Sequence, residues 1–376
     1  MAKLRVGVLF GGQSVEHEIS LLSAQSVMRS LDQKKYEVIP LGITKEGKWL
    51  PPSEAPKLLE TSSGFPDLTN GINQAPAGIA SLVTANKPLT ELPKLDVIFP
   101  LLHGTFGEDG TVQGLLELAD VPYVGAGVLG SALGMDKALM KRVFRDAGLP
   151  IVPFITVLRR DWERKPEAIA AEVDQVLGFP CFVKPANGGS SVGISKVHAR
   201  NELATALDTA VALDRKALVE EAIPGRELEC SVLGNDAPIA SAVGEIVPAR
   251  EFYDYEAKYH DEQTQLMVPA PLPSEMADRV RALAVEAYQA IDCAGMARVD
   301  FFLRSADQQL FINEINTIPG FTSVSMYPKM WEAAGLPYSA LLDRLIELAL
   351  ERHQEKRRNR YNYAALYQKN GSQGAE

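Results

Sequence analysis

The sequence predicts an α/β protein of more than one domain, opening with a doubly wound unit. Three observations carry this. Leu4 to Phe10 is an apolar run interrupted by Arg5 and Gly7, the mark of a strand buried in a parallel sheet. The run breaks at Gly11-Gly12-Gln-Ser14 and gives way to a helical pattern from Val15 through Leu31, which is the strand–turn–helix opening of a doubly wound fold. The chain has 376 residues, too many for one compact core, so two or three domains are the default.

Composition narrows the function classes. The chain is 46% hydrophobic and 23% charged with a net charge of -10, which argues against non-specific nucleic-acid binding, where a basic footprint is expected. A phosphate ligand stays compatible, because local basic residues or a divalent cation can reverse the field. Cys181, Cys230 and Cys293 are scattered without metal-ligand spacing and read as core thiols in a reducing compartment. No apolar run reaches membrane-spanning length, and Met1-Ala-Lys-Leu-Arg-Val-Gly-Val enters a strand with no signal-peptide layout. A cytoplasmic protein without a membrane or nucleic-acid partner is expected.

Glu16 and Glu18 stand at the start of the first helix, where the macrodipole favours negative charge. Alternatively Glu16, at the carboxyl end of a strand, faces a ligand amine. The full G-x-G-x-x-G fingerprint is absent, so a dinucleotide site is discounted here. Tyr36 to Ile43 is a second strand, and the proline-rich stretch from 51 to 93 reads as a surface excursion. Leu95 to Leu102 is another buried strand, ending in the glycine-rich loop His103-Gly-Thr-Phe-Gly-Glu-Asp-Gly110, a candidate ligand loop. Gly114 to Ala119 is read as helical, and Val121 to Gly127 as a short strand and turn.

Ser131 to Ala147 reads as one helix stopped by Gly148-Leu-Pro150. Ile151 to Leu158 follows as a strand and Glu163 to Leu177 as a helix. Phe179-Pro-Cys-Phe-Val-Lys-Pro185 is a strand leading to Ala186-Asn-Gly-Gly-Ser-Ser-Val-Gly193. Small residues there let consecutive backbone N–H groups face anionic oxygens. The stretch also suits a β-hairpin turn, and the two roles are compatible. After a helix at Glu202–Leu213, Leu218-Val219-Glu220-Glu221 looks like a strand running into a connecting segment through Ile223. That segment is either part of a nucleotide pocket or a solvated acidic turn. Phe252-Tyr-Asp-Tyr-Glu-Ala-Lys-Tyr-His260 fits neither helix nor strand core and reads as an ordered functional loop. Helices are expected at Ser274–Ile291 and Leu341–Leu350, with fraying beyond Tyr367.

The densest chemistry lies between Arg298 and Gly320. Arg298 and Asp300 are two apart, as are Glu314 and Asn316, so on strands each pair shares a face. Ser305-Ala-Asp307 between them is turn-like, which predicts a hairpin. Pairing would gather Asp300, Glu314 and Asn316 into a patch of oxygen donors suited to Mg²⁺. The competing reading is a salt-bridged pair of strands, with Arg298 neutralising the acids.

Seven motifs, in order, resemble the ATP-grasp superfamily and, within it, the D-alanine–D-alanine ligases. They are Leu9-Phe-Gly-Gly-Gln-Ser-Val-Glu-His-Glu-Ile-Ser20, His103 to Gly110, Met135-Asp-Lys137, Val183 to Gly193, Phe252 to Tyr259, Arg298-Val-Asp300 and Asn313 to Gly320. The resemblance implies a three-domain ATP-grasp architecture. Its parts would be an N-terminal Rossmann-like domain at 1–127 with a D-alanine subsite, a central domain at 128–219 with the phosphate-covering loop, and a C-terminal domain at 220–367 with the metal site. Residues 368–376 would be a disordered tail.

The implied reaction joins two D-alanines at the expense of ATP, through a D-alanyl phosphate. Two Mg²⁺ or Mn²⁺ ions would sit on Asp300, Glu314 and Asn316. Lys137, Lys184, Lys258, Ser190 and Ser191 would serve the phosphates, and Glu220, Glu221, Ile223 and Glu227 the adenine and ribose. Glu16 would take the first ammonium with His103 close by. Arg298 and the Gly320 N–H would stabilise the oxyanion, and Ser325 and Met326 would meet the second D-alanine. Tyr259, tied to Ser190 and through it to Glu16, would close a loop against water. A tyrosine there favours the dipeptide over D-alanyl-D-lactate. A homodimer is the family expectation. Competing readings are a biotin-carboxylase-like or glutathione-synthetase-like ligase, which would lack the Glu16–Ser190–Tyr259 trio, and a non-catalytic nucleotide-binding regulator, which would show gaps among the metal ligands.

Overall fold

The computed structural model describes residues 2–60, 94–247, 264–322 and 324–360. Residues 61–93 of the proline-rich excursion, the segment 252–260 with Lys258 and Tyr259, and the tail beyond 360 lie outside these residues. Three sheets organise the chain. In the first, β1 (Leu4–Gly11) pairs in parallel with β2 (Tyr36–Ile43), from Leu4 opposite Tyr36 to Gly11 opposite Ile43. The two-residue β3 (Trp49–Leu50) caps one edge antiparallel, and β4 (Val97–Pro100) pairs in parallel on the other, giving the order β3-β2-β1-β4. Both neighbours of β1 are parallel to it, and Val6 to Phe10 are all buried, which explains the unbroken apolar run. Helix α1 (His17–Ser30) covers one face with Leu21, Ala24 and Val27. A short α2 (Ala55–Glu60) follows, and α3 (Thr111–Leu118) starts earlier than its sequence pattern suggests, behind the left-handed Gly110 (φ 92°).

Two single helices expected from the sequence are each divided. Residues 131–147 form α4 (Val128–Met135) and α5 (Lys137–Asp146). The break is Asp136: its backbone is extended (φ -82°, ψ 93°) and its Oδ1 accepts from the Leu139 N–H at 3.1 Å, so an N-cap interrupts the apolar pattern. Residues 163–177 divide into α6 (Arg159–Arg164) and α7 (Pro166–Val176), because Pro166 has no N–H to continue a helix but suits a first turn.

The second sheet has the order β5-β8-β6-β7, built from β5 (Phe154–Leu158), β6 (Cys181–Pro185), β7 (Ser195–Val197) and β8 (Lys216–Glu221). Helix α8 (Arg200–Leu213) packs on it through Leu203, Leu207 and Ala210. The expected hairpin around the glycine-rich loop is present, with Cys181 opposite Val197.

The third sheet is antiparallel, in the order β11-β10-β9-β12-β13. Its strands β9 (Gly225–Gly234) and β10 (Ile239–Val247) are not foreseen as strands, although Leu228, Cys230 and Val232 alternate inward at 0% exposure. Glu227, Glu229 and Ser231 interleave with them, so the polar–apolar alternation of a half-buried strand is present in the sequence. Strand β11 (Gln265–Met267) forms the edge, and α9 (Ser274–Ala290) packs on the sheet through Val280, Leu283 and Ala287. Helix α5 joins the same core through Met140 and Phe144. The expected hairpin forms: β12 (Gly295–Arg304) and β13 (Leu310–Asn316) set Arg298 opposite Asn316 and Asp300 opposite Glu314, with an irregularity between Asp300 and Phe301.

A short helix not expected from the sequence, α10 (Met326–Ala333), precedes the closing α11 (Tyr338–Lys356). The latter returns to the first sheet, where Leu341, Leu342, Leu345 and Ile346 share one core with Val6, Val8 and Phe10. Among the described residues no helix is long and apolar enough to cross a membrane.

All three cysteines are buried and free. Burial pushes the Cys181 thiol up to about 11 and those of Cys230 and Cys293 to about 12. The reactive thiolate is therefore scarce at pH 8. The folded protein is expected to resist a chromogenic disulfide reagent at that pH and to titrate three thiols in urea; fast labelling of the native protein would contradict this burial.

Candidate active site

The site is built where the first sheet's loops meet the glycine-rich loop and the β12–β13 hairpin. Its cavity has a volume of about 810 Å³ and is lined, among the described residues, by Glu16, His103, Glu108, Lys137, Gly188 to Ser190, Arg298, Glu314, Asn316, Gly320, Ser325 and Met326, with others.

Glu16 ends the turn after β1 and immediately precedes α1, without capping it. Its Oε1 accepts from the Ser190 Oγ, joining residues 174 apart in sequence. Its Oε2 is buried with no hydrogen-bond partner. Glycines make the approach possible: a Cβ on Gly189 would lie 2.5 Å from Glu16 Oε2, and one on Gly104 (φ 76°) would lie 2.9 Å from it. Ser190 and Ser191 themselves sit at φ 49° and 59°, a conformation uncommon outside glycine that recurs at functional sites.

His103 is anchored through both ring nitrogens. Nδ1 is 3.0 Å from the Ile318 carbonyl, which can only accept, so Nδ1 carries the proton. Burial pushes its pKa down and favours the neutral ring, which leaves Nε2 to accept from the Ser23 Oγ at 3.2 Å. The ring therefore ties the loop after β4 to the turn after β13. Glu108, in the same loop, was not singled out by sequence reasoning. Its Oε2 accepts from the Gly104 N–H at 2.7 Å, while Oε1 is buried and unpartnered. Burial, then the Glu16 charge, raises its carboxyl well above the usual range. The sequence signal was available: an acid beside three glycines at a strand's end.

On the hairpin, the Arg298 guanidinium grips Asp300 with two bonds of 2.7 Å and lies 3.2 Å from Glu229 Oε1. Burial works against its charge, and Asp300, then Glu229, outweigh it, holding the group firmly cationic. Glu314 is met by Lys137 at 3.1 Å, and the same ammonium donates to the Gly188 carbonyl at 2.9 Å. Asn316 Oδ1 accepts from the Ile318 N–H at 3.0 Å. Gly320 lies beside Ser325, whose Oγ accepts from the Thr322 N–H at 3.0 Å; a Cβ on Gly320 would approach that Oγ to 2.9 Å. Met326, buried, opens α10 beside it.

Other expected residues lie off the cavity lining. Lys184 Nζ sits 2.5 Å from Glu220 Oε2 and 3.3 Å from Asn313 Oδ1. Glu220 is buried on β8, Glu221 ends that strand half-buried, Ile223 is half-buried in the connection to β9, and Glu227 is on β9. Ser191 follows Ser190 in the loop, and Asp300 lies behind Arg298. Asp300, Glu314 and Asn316 are hard oxygen donors on paired strands, and this set fits an oxygen-seeking divalent cation that takes its remaining ligands from water and phosphate. Among the described residues there is no group of three or more His, Cys, Asp or Glu arranged for a metal.

The three sheets define the ATP-grasp architecture. A structure of the D-alanine–D-alanine ligase from Coxiella burnetii covers 99% of this chain and 100% of its own, with a TM-score of 0.79 and 38% identity. The VanG D-Ala:D-Ser ligase from Enterococcus faecalis covers 93% and 100%, with a TM-score of 0.77 and 36% identity. The family models described as D-ala D-ala ligase N-terminus and C-terminus match residues 5–126 and 143–347. A D-alanine–D-alanine ligase of Solibacter usitatus is 54% identical over 359 residues, covering 96% of this chain and 99% of the relative, and one of Geobacillus thermodenitrificans is 50% identical over 368 residues, covering 96% and 99%. The chain belongs to the D-alanine–D-alanine ligase family.

Proposed function

We propose that this protein joins two D-alanines into D-alanyl-D-alanine, consuming ATP and releasing ADP and phosphate, to supply a peptidoglycan precursor. The observation that carries this reading is the bond between Glu16 and Ser190, which brings a buried carboxylate with one unpartnered oxygen to a cavity also lined by Arg298 and Gly320. That oxygen suits the ammonium of the first D-alanine. Arg298 and the Gly320 N–H suit the oxygen of the carbonyl under attack, where donors aimed at developing charge lower the barrier. The first carboxylate takes the terminal phosphoryl group, and the second amine then attacks the activated carbonyl and expels phosphate. Ser325 and Met326 meet the second D-alanine, and His103 positions the wall beside the first.

Lys137, Lys184 and Lys258 hold phosphate oxygens, with Ser190 and Ser191 closing the glycine-rich loop over them. Glu220, Glu221, Ile223 and Glu227 serve the adenosine. Bound at Asp300, Glu314 and Asn316, Mg²⁺ or Mn²⁺ would neutralise the phosphate charge that Lys137, Lys184 and Lys258 only partly balance. Tyr259, through Ser190, excludes water. We assign residues 1–127, 128–219 and 220–367 to three domains, a cytoplasmic location and a homodimeric state to the protein, and neither nucleic acid nor membrane as partner.

The test supplies ATP, Mg²⁺ and D-alanine and measures phosphate and dipeptide, with L-alanine as control. D-Alanine-dependent release, abolished by EDTA, is expected. No release above the L-alanine control sinks the proposal. Because one neighbour is a D-Ala:D-Ser ligase, D-serine and D-lactate are offered with limiting D-alanine. A mixed product exceeding D-alanyl-D-alanine would reassign the second subsite.

A further inference from the structure

Lys141 is a charged side chain with 0% exposure to which the proposed reaction gives no task. It lies one helical turn after Lys137 on α5, so both ammoniums leave the same helix face. Each meets a different carboxylate: Lys137 reaches Glu314, and Lys141 Nζ lies 3.0 Å from Glu220 Oε1. The other oxygen of Glu220 is 2.5 Å from Lys184 Nζ. One buried carboxylate on β8 thus joins a lysine from α5 to one from β6. Burial raises the Glu220 carboxyl, but Lys141, then Lys184, outweigh it and keep the group ionised.

This arrangement poses a difficulty for nucleotide binding. Lys184 is 5% exposed, lies off the cavity lining and has its ammonium on Glu220. To hold a phosphate oxygen it must give up at least part of that contact. With Lys184 as sole partner, that movement would leave a buried carboxylate uncompensated, a heavy cost. With Lys141 in place, Glu220 keeps a cation whichever way Lys184 turns. We propose that Lys141 is a reserve counter-ion for Glu220, a positioning residue that frees the Lys184 ammonium to turn toward a nucleotide phosphate. This rests on the reading of Lys184 as a phosphate-holding lysine.

The experiment measures affinity of the full chain for Mg·ADP by calorimetry, with melting temperature read in parallel. Lys141→Met is expected to weaken binding by about tenfold or more, while Lys141→Arg, which keeps the charge, retains most of the affinity. In Lys141→Met with Glu220→Gln there is no buried carboxylate left for Lys141 to balance, so the double variant binds nearly as well as Glu220→Gln alone. Should the methionine variant fail to fold, Lys141→Gln gives the same comparison. A melting temperature that falls while ADP affinity holds would make Lys141 merely structural and overturn the inference, as would losses that simply add in the double variant. A parent chain that does not bind Mg·ADP would instead remove the nucleotide reading on which the inference stands.

Discussion

Replacing Arg298 by methionine is expected to lower dipeptide formation by about 10²–10³ and to destabilise the fold by about 3 kcal/mol. The two losses have different origins. Stability falls because Asp300 and Glu229 each lose the cation they face, at 2.7 and 3.2 Å. The figure lies at the low end for a broken buried pair because the Arg298 side chain keeps 18% exposure. Rate falls because, in the proposed reaction, a donor aimed at the reacting carbonyl is lost. Arg298→Lys separates them: it keeps the charge but cannot reproduce the two-pronged grip on Asp300. Urea denaturation should then recover most of the stability while the initial rate stays low. Rate and stability recovering together would reduce Arg298 to a partner of its neighbouring acids, the competing reading of the hairpin.

Glu16→Gln is expected to raise the KM for the first D-alanine by about tenfold to a hundredfold, the effect of removing one member of a buried charge pair. Glutamine keeps the size of the side chain and can still accept from Ser190, so the variant removes charge and little else. Gly189→Ala is the complementary change. Its Cβ would lie 2.5 Å from Glu16 Oε2, so the loop must retreat while the carboxylate stays. Initial rates against D-alanine at saturating ATP measure both. A parental KM in both variants would remove Glu16 from the ammonium site.

Much of this architecture was written in residue patterns. The first sheet was legible because buried parallel strands demand unbroken apolar runs, as at Val6 to Phe10. The β12–β13 pairing was legible because Arg298, Asp300, Glu314 and Asn316 keep a period of two across a turn-like cluster. Where a residue served two purposes, the pattern misled. Asp136 sits inside a helical apolar pattern yet acts as a cap, whereas β9 keeps a strict polar–apolar alternation from Glu227 to Val232 that was open to reading as a strand. The Lys141–Glu220–Lys184 chain had no local signal, since its members come from three elements that touch through tertiary packing alone. Glu108 was visible as an acid in a glycine-rich loop, but its burial, the main cause of its raised pKa, and the second cause, Glu16 on a different strand's turn, come from tertiary packing.

The return of α11 to the first sheet has a consequence for synthesis. Val6, Val8 and Phe10 are made well before Leu341, Leu342 and Leu345, which complete their core. The face of the opening sheet that α1 covers therefore stays only partly closed on the ribosome while two other sheets form behind it. Closing so long a loop adds little entropic penalty, because that cost grows only logarithmically with length. The exposed interval is one of time. Nascent chains stalled before residue 338 should be cut by protease within 4–43, and released chains that include α11 should be protected there. Equal protection in both would mean that the first sheet closes without α11.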